Sequence, residues 1–366
     1  MSPDLNVLQV LGRSAGGIAR HVAHITEALD GDGLSVDVAG PTDLPVAMPK
    51  PIIPLDIPEG PRGHGRAVRR LRSYLHQGDY DVVHAHGLRA GIDAALAARR
   101  ANQPSLLTVH NLVRADVSGR ARAMLYKPAE PLSVRLSART FAVSEDIARH
   151  LRSISPRGAA KIEVLYLGIG DAPQTVRDSA AVRKEVGVGE GARIIVTAAR
   201  LSSQKALPVM LRALARLPDD VVLVVLGRGP DEDELRTLAL ALGLEPRVRW
   251  LGWRDDIADF LAAADVFCLS SNWEGVPLAA QEAILLGTPV VSTAVGGMRE
   301  LIADRSSGRL VDKGDDAQLA GALDEVLGSA PIAERYAGQA VVDLRRRFST
   351  PRMLARLKDA YAWHAR

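Results

Sequence analysis

Short apolar runs rich in Val, Ile and Leu recur along the chain and alternate with longer stretches in which apolar residues return at helical spacing. The first kind predicts buried strands and the second amphipathic helices; their alternation predicts an α/β protein with parallel, doubly wound sheets. In the first half, strands are expected at "NVLQVLG", "LSVDVAG", "DVVHAHG", "SLLTVHN", "TFAVS" and "IEVLYLG". In the second half, "RIIVTAAR", "VVLVVLG", "VRWLGW", "VFCLSS", "TPVVSTA" and "GRLVD" repeat the scheme. Between the two sets, "GIGDAPQTVRDSAAVRKEVGVGEGA" is rich in Gly and small or polar residues, so a domain boundary is expected near Gly170 to Thr175. Two domains of similar size follow, 1–170 and 171–350, with a cleft between them. Beyond Ile332 the pattern is helical, with a bend at Pro351 and a last helix, 351–366, packing back on the first domain. The length of 366 residues agrees with two domains, since single cores seldom grow beyond roughly 250–300 residues.

Composition sharpens this picture only in places. Hydrophobic residues make up 47% and aromatics 4%, so both cores must be aliphatic. No apolar run approaches the ~18–20 residues that span a bilayer, and the N-terminus shows no leader pattern, so a cytoplasmic setting is expected. The single cysteine, Cys268, falls inside "VFCLSS" and reads as a small buried hydrophobe; disulfides within the chain and cysteine metal sites are excluded. Net charge is +3, but residues 1–170 carry +5, from 21 basic and 16 acidic residues. Much of that excess lies in "RGHGRAVRRLRSYLHQ", where Val68, Leu71 and Leu75 predict a surface helix with Arg62, Arg66, Arg69, Arg70 and Arg72 outward. Its arginines form either an ordinary solvated face or a contact with an anionic acceptor or the inner face of an anionic membrane.

The segment "EGVPLAAQEAILLGTPVVSTAVGG", Glu274 to Gly297, carries chemistry. Pro277 is expected as first helical residue and Gly287 as C-terminal cap. The helix Leu278 to Leu286 is apolar on nearly every side except Gln281 and Glu282, so Glu282 is expected to be buried and in need of a partner. Glu274 stands on the loop after the strand "VFCLSS". In open parallel sheets ligands collect beyond the carboxyl ends of strands, which directs attention to such loops. After the first strand, Gly16 and Gly17 open a helix and could offer backbone N–H groups to an anion, or form only a tight turn. Gly227 and Gly229 in "LGRGPDEDEL" suggest a dinucleotide loop, but Asp231 to Glu234 head the next helix and would repel a pyrophosphate. The same acids read as helix capping rather than a metal signature. In "AARLSSQKAL", Arg200 and Lys205 follow a strand end, where a planar fork and a point charge suit a diphosphate; two solvated side chains are the other reading.

Glu274-x7-Glu282, Arg200 with Lys205, "DVVHAHG", "TVHN" and "FAVSED" together resemble the retaining glycosyltransferases of family four, over nearly the whole chain. The resemblance implies the GT-B architecture, two doubly wound Rossmann-like domains, and metal-independent transfer of a sugar from a nucleotide diphosphate donor, most commonly UDP-linked, to a hydroxyl acceptor, with no cofactor. It implies that Glu282 accepts from ribose hydroxyls and Glu274 faces the donor sugar. The amides of Gly275, Val276 and Leu278 would lie beside sugar and phosphates, and the base would lie near Leu251 to Arg254. Arg200, Lys205 and the amides around Gly17 would replace a metal, and His110 would lie near the donor sugar, unless it is only a buried structural histidine. His84 and His86 share one face of their strand, and His86, nearer the carboxyl end, is expected to contact the acceptor. Ser144 and Glu145 would line the acceptor side, unless Ser144 only caps a helix. Ala199 and Ala206 depart from the pattern, since many members have glycine there, and Tyr166 to Asp171 replace a "P-N-G-x-D" segment. A sugar-nucleotide epimerase of the same architecture, which needs further acid and base residues, and a catalytically silent sugar-nucleotide-binding protein are the alternatives. The acceptor stays open among a lipid-linked sugar, a polysaccharide end, an inositol derivative and a small secondary metabolite.

Overall fold

The computed structural model describes residues 5–13, 17–31, 33–44, 46–112, 128–189 and 191–365. The chain divides into two compact units, Met1–Gly168 with Phe348–Arg366, and Ile169–Arg347. All twelve expected strands form. Unit 1 holds β1 (Leu5–Leu11), β2 (Leu34–Gly40), β3 (Ile53–Pro54), β4 (Val82–His86), β5 (Ser105–Val109), β6 (Arg139–Ala142) and β7 (Ile162–Val164). They lie in the order β3-β2-β1-β4-β5-β6-β7, all pairs parallel. β3 escaped the hydrophobic pattern because it is two residues long, and its Pro54 has no N–H to donate, which only an edge strand tolerates.

The described helices of the first pass are α1 (Gly17–Leu29), α2 (His64–Gln77), α3 (Leu88–Ala101), α4 (Ala129–Leu136) and α5 (Glu145–Ile154). α2 buries Ala67, Val68, Leu71 and Leu75 and leaves Arg62 before it and Arg66, Arg69, Arg70 and Arg72 on it exposed, as its spacing requires. Ser144 is fully buried and caps α5, its Oγ accepting from the Ile147 N–H at 3.2 Å, so capping is the role the geometry supports for it.

Unit 2 holds β8 (Arg193–Ala198), β9 (Val221–Leu226), β10 (Val248–Gly252), β11 (Val266–Leu269), β12 (Val290–Thr293) and β13 (Arg309–Val311), in the parallel order β10-β9-β8-β11-β12-β13. Its helices are α6 (Ser179–Glu185), α7 (Leu207–Leu214), α8 (Glu232–Ala241), α9 (Ile257–Ala263), α10 (Leu278–Leu285), α11 (Met298–Leu301), α12 (Asp316–Leu327) and α13 (Ala330–Arg347). The core between α7, α8, α12 and the sheet is aliphatic, with Tyr336 as its one buried aromatic side chain. Cys268 lies in it fully buried, and burial pushes its thiol up.

The chain then returns to unit 1 through α14 (Thr350–His364). The break falls just ahead of Pro351: Ser349 caps α14 by accepting from the Arg352 N–H, and Pro351 sits in the first turn, where its missing N–H is harmless. Met353, Leu357, Ala360 and Tyr361 of α14 join Val7, Ile25, Leu106 and Phe141 in one buried cluster. Gly168 meets the start of α14 so closely that a Cβ there would lie 2.6 Å from the Thr350 Cα.

Candidate active site

In each sheet the strand order reverses once, between β1 and β4 in unit 1 and between β8 and β11 in unit 2. Loops on either side of such a reversal diverge and leave a crevice beyond the carboxyl ends of the strands. In unit 2 those two loops are 199–206, with Arg200 and Lys205, and 270–277, with Glu274.

The two loops are laced together. Ser270 Oγ donates to the carbonyls of Lys205 and Ala206, both at 3.1 Å. The Asn272 N–H donates to the Gln204 carbonyl at 2.7 Å, and Asn272 Nδ2 to the Ser203 carbonyl at 2.8 Å. Gln204 Nε2 returns a bond to the Trp273 carbonyl at 3.0 Å. Lys205 Nζ thereby reaches Glu274 Oε1 at 2.6 Å, and Ser271 Oγ donates to the same oxygen. The glutamate side chain is 5% exposed and the lysine 16%, so the pair is desolvated. Arg200 is exposed and forms no ion pair with another described residue.

Glycines let neighbouring backbones press on both loops. A Cβ at Gly227 would stand 2.1 Å from the Ala199 carbonyl oxygen, and one at Gly229 2.0 Å from that of Leu201. "LGRG" is thus a buttress for the Arg200 loop, held by the Leu201 N–H on the Arg228 carbonyl at 3.0 Å. A Cβ at Gly296 would stand 1.8 Å from the Glu274 carbonyl oxygen, and one at Gly297 2.0 Å from that of Gly275, which places "AVGG" directly against the Glu274 turn. Ala206 adopts the left-handed conformation, φ 47, which favours glycine. Of the acids after "LGRG", Asp231 precedes α8 without a side-chain cap, and Glu232, Asp233 and Glu234 fill its first turn, where the helix dipole favours them.

Two expectations for α10 need correction. Pro277 is the extended cap before the helix, ψ 123, rather than its first residue. Glu282 is half-buried, because the buried stripe of α10 runs through Ala280, Gln281, Ala283 and Ile284 and leaves position 282 at the rim. The buried carboxylate of the motif is Glu274. Gly275 and Val276 are also buried, Leu278 is half-buried, and Leu251 is half-buried on β10, whose register shifts between Trp250 and Gly252.

Unit 1 presents a different chemistry. Gly17 is the first residue of α1, after β1; Gly16 lies outside the described residues. His86 ends β4 and His110 follows β5, and both are buried. His86 Nδ1 lies 3.2 Å from His110 Nε2, and His86 Nε2 lies 2.7 Å from Gln9 Oε1. Both ring nitrogens of His86 are therefore engaged, and its expected contact with an acceptor finds no free polar atom on the ring. His84 binds the Tyr361 hydroxyl at 2.7 Å and Thr108 Oγ1 at 2.8 Å. Burial pushes His84 and His110 down to about 3 and holds His21 and His86 well below the ordinary imidazole range, so all four rings are neutral. Ligand atoms of His21, His86 and His110 lie within 4.8 Å of one another, close enough for an ion, but the nitrogens of His86 already serve Gln9 and His110. Gln9, Tyr361 and Ser271 carry no motif and were invisible to pattern reading.

Known proteins of two kinds resemble this chain. The family described as glycosyl transferases group 1 matches residues 178–341, and glycosyltransferase family 4 matches residues 15–172. A D-inositol 3-phosphate glycosyltransferase of Mycolicibacterium vanbaalenii is 34% identical over 286 residues, 72% of this chain and 63% of that protein's length. Its namesake from Xylanimonas cellulosilytica is 30% identical over 95% of this chain and 92% of its own. The crystal structure of Anabaena HepE with UDP and glucose shares the fold at a TM-score of 0.82, with 21% identity over 98% of this chain and 99% of that one. With two parallel-sheet Rossmann-like domains and both family matches in order along its length, the chain belongs to the GT-B glycosyltransferases of family four.

Proposed function

We propose that the protein moves a sugar from a nucleoside diphosphate, a UDP-sugar, to a hydroxyl acceptor, with retention at the anomeric carbon and with its own cations in place of a metal. The observation that carries this reading is the desolvated Lys205–Glu274 pair at the strand reversal of unit 2, with Arg200 exposed on the same loop. As the anomeric bond breaks, negative charge grows on the departing phosphate. The Arg200 fork and Lys205 Nζ neutralise it; a lysine has three donors, so one holds Glu274 while another meets a phosphate oxygen. Glu274 accepts from a donor-sugar hydroxyl, the amides of Gly275, Val276 and Leu278 meet sugar and phosphates, and Glu282 on the rim of α10 accepts from ribose. The base lies along Leu251. In unit 1, Gly17 offers its amide to an anion and His110 contacts substrate. The departing phosphate takes the acceptor proton on the face it leaves, so no protein base is required.

The UDP and glucose bound to Anabaena HepE support the donor class, and the name of the two relatives makes inositol 3-phosphate the first acceptor to try. Labelled UDP-sugars incubated with an acceptor panel in a chelator are expected to give a glycoside whose anomeric coupling matches the donor. An inverted product, or transfer only after a divalent ion is added, would overturn the corresponding part of the reading.

The exposed arginine face of α2 supports peripheral contact with an anionic membrane. Each arginine near such a surface contributes roughly 1 kcal/mol. Binding to vesicles with anionic lipid is expected to weaken steeply as salt rises, and vesicles of neutral lipid should bind nothing. Equal binding to both vesicle types, or none to either, would dismiss the idea.

A further inference from the structure

A hydrogen-bonded chain in unit 1 links the last helix to His110, and the direction of one bond in it fixes the direction of all the others. We propose that Tyr361 is a positioning residue: through Gln9 and His86 it sets which ring nitrogen of His110 carries the proton. The inference rests on the reading of His110 as a residue that contacts substrate.

The direction of each bond follows from the group before it. Gln9 Nε2 donates to the Tyr361 hydroxyl at 3.0 Å, across 352 positions of sequence. The amide then presents its Oε1 to His86 Nε2 at 2.7 Å, so that nitrogen must carry a proton. A neutral imidazole with a proton on Nε2 has an acceptor at Nδ1. His86 Nδ1 therefore accepts from His110 Nε2, 3.2 Å away. His110 in turn carries its proton on Nε2 and keeps Nδ1 as an acceptor; among the described residues that nitrogen makes no hydrogen bond.

A side branch closes the set. Having accepted from Gln9, the Tyr361 hydroxyl donates to His84 Nδ1 at 2.7 Å, and His84 Nε2 donates to Thr108 Oγ1 at 2.8 Å. Burial keeps the rings neutral, which is the condition for a single proton per ring. Turning the Gln9 amide over would reverse every donor and move the His110 proton to Nδ1. The difference matters chemically: an unprotonated Nδ1 accepts from a sugar hydroxyl, whereas a protonated one would donate. Only a hydroxyl at position 361 can accept from Gln9 and donate to His84 together; phenylalanine can do neither.

Long-range ¹H–¹⁵N spectra of histidine-labelled protein distinguish the two tautomers directly. His110 in the wild-type protein is expected to show its proton on Nε2; a proton on Nδ1 would overturn the proposal without any variant. In Tyr361→Phe, His110 should become a mixture of tautomers, and kcat should fall about tenfold, the equivalent of one lost hydrogen bond, with the KM for donor unchanged. Unchanged His110 signals in Tyr361→Phe would refute the relay. Altered tautomers with unaltered kcat would leave Tyr361 in its role and remove His110 from substrate contact.

Discussion

Arg200→Ala is expected to lower turnover at saturating donor by ~10²–10³, about 3–4 kcal/mol of transition-state stabilisation, while the melting temperature stays where it is. The side chain is exposed and pairs with no described residue, so the folded state loses nothing when it is removed. Lys205→Ala should differ. It removes a donor of the same kind and also leaves Glu274, with a side chain 5% exposed, buried with only the Ser271 hydroxyl for company. Breaking one partner of a buried pair costs about 3–5 kcal/mol. Turnover and stability should therefore fall together. Adding Glu274→Gln to the lysine variant should restore stability and leave turnover low, because the uncompensated charge disappears while the diphosphate still lacks its donor. Initial rates and denaturant titrations on the four proteins decide the matter. Near-wild-type turnover in Arg200→Ala would reject the proposed replacement of a metal by these cations.

Acidification from pH 7 to 5.5 is expected to destabilise unit 1 by about 5 kcal/mol and to spare unit 2. The four buried imidazoles of His21, His84, His86 and His110 stay neutral in the folded state, chiefly through desolvation, and none has a carboxylate among its hydrogen-bond partners. In the unfolded chain each titrates near 6.5. A group with its folded-state value depressed contributes its full stabilisation above the unfolded value. That contribution is lost as pH falls through 6.5 and on toward the folded values, because only the unfolded state takes up protons in this window. One pH unit below the reference, each imidazole accounts for about 1.4 kcal/mol. All nine histidines of the chain belong to unit 1. Hydrogen exchange read by peptide should show β1, β4, β5 and α14 losing protection at pH 5.5 while β8 to β13 keep theirs. Equal loss in both units, or none in unit 1, would contradict neutral burial of the cluster.

The same contrast between local and distant causes runs through the whole molecule. Strands such as β4, β9 and β11, the outward arginines of α2 and the stop after α10 were legible because each depends on residues a few positions apart: an apolar run, a helical repeat, or a Gly287 whose φ of 79 suits a cap. The charged residues of unit 2 could be picked out for the same reason, since each stands just past a strand end that the pattern itself marks.

What each of those residues touches was decided elsewhere. Which glutamate is buried depends on how α10 is rotated against its neighbours, and a helix apolar almost all round does not announce its rotation. Lys205 meets Glu274 only because two loops 69 positions apart are laced by Ser270, Asn272 and Gln204. The glycines of "LGRG" press on the Arg200 loop because β8 and β9 are neighbours in the sheet. Tyr361 reaches Gln9 because the chain, after building a second unit, returns a helix to the first. Periodicity along the chain determined the elements and the polar groups at their ends. Pairings between those groups arise from contacts that close long loops, and no residue spacing encodes which loop ends will meet.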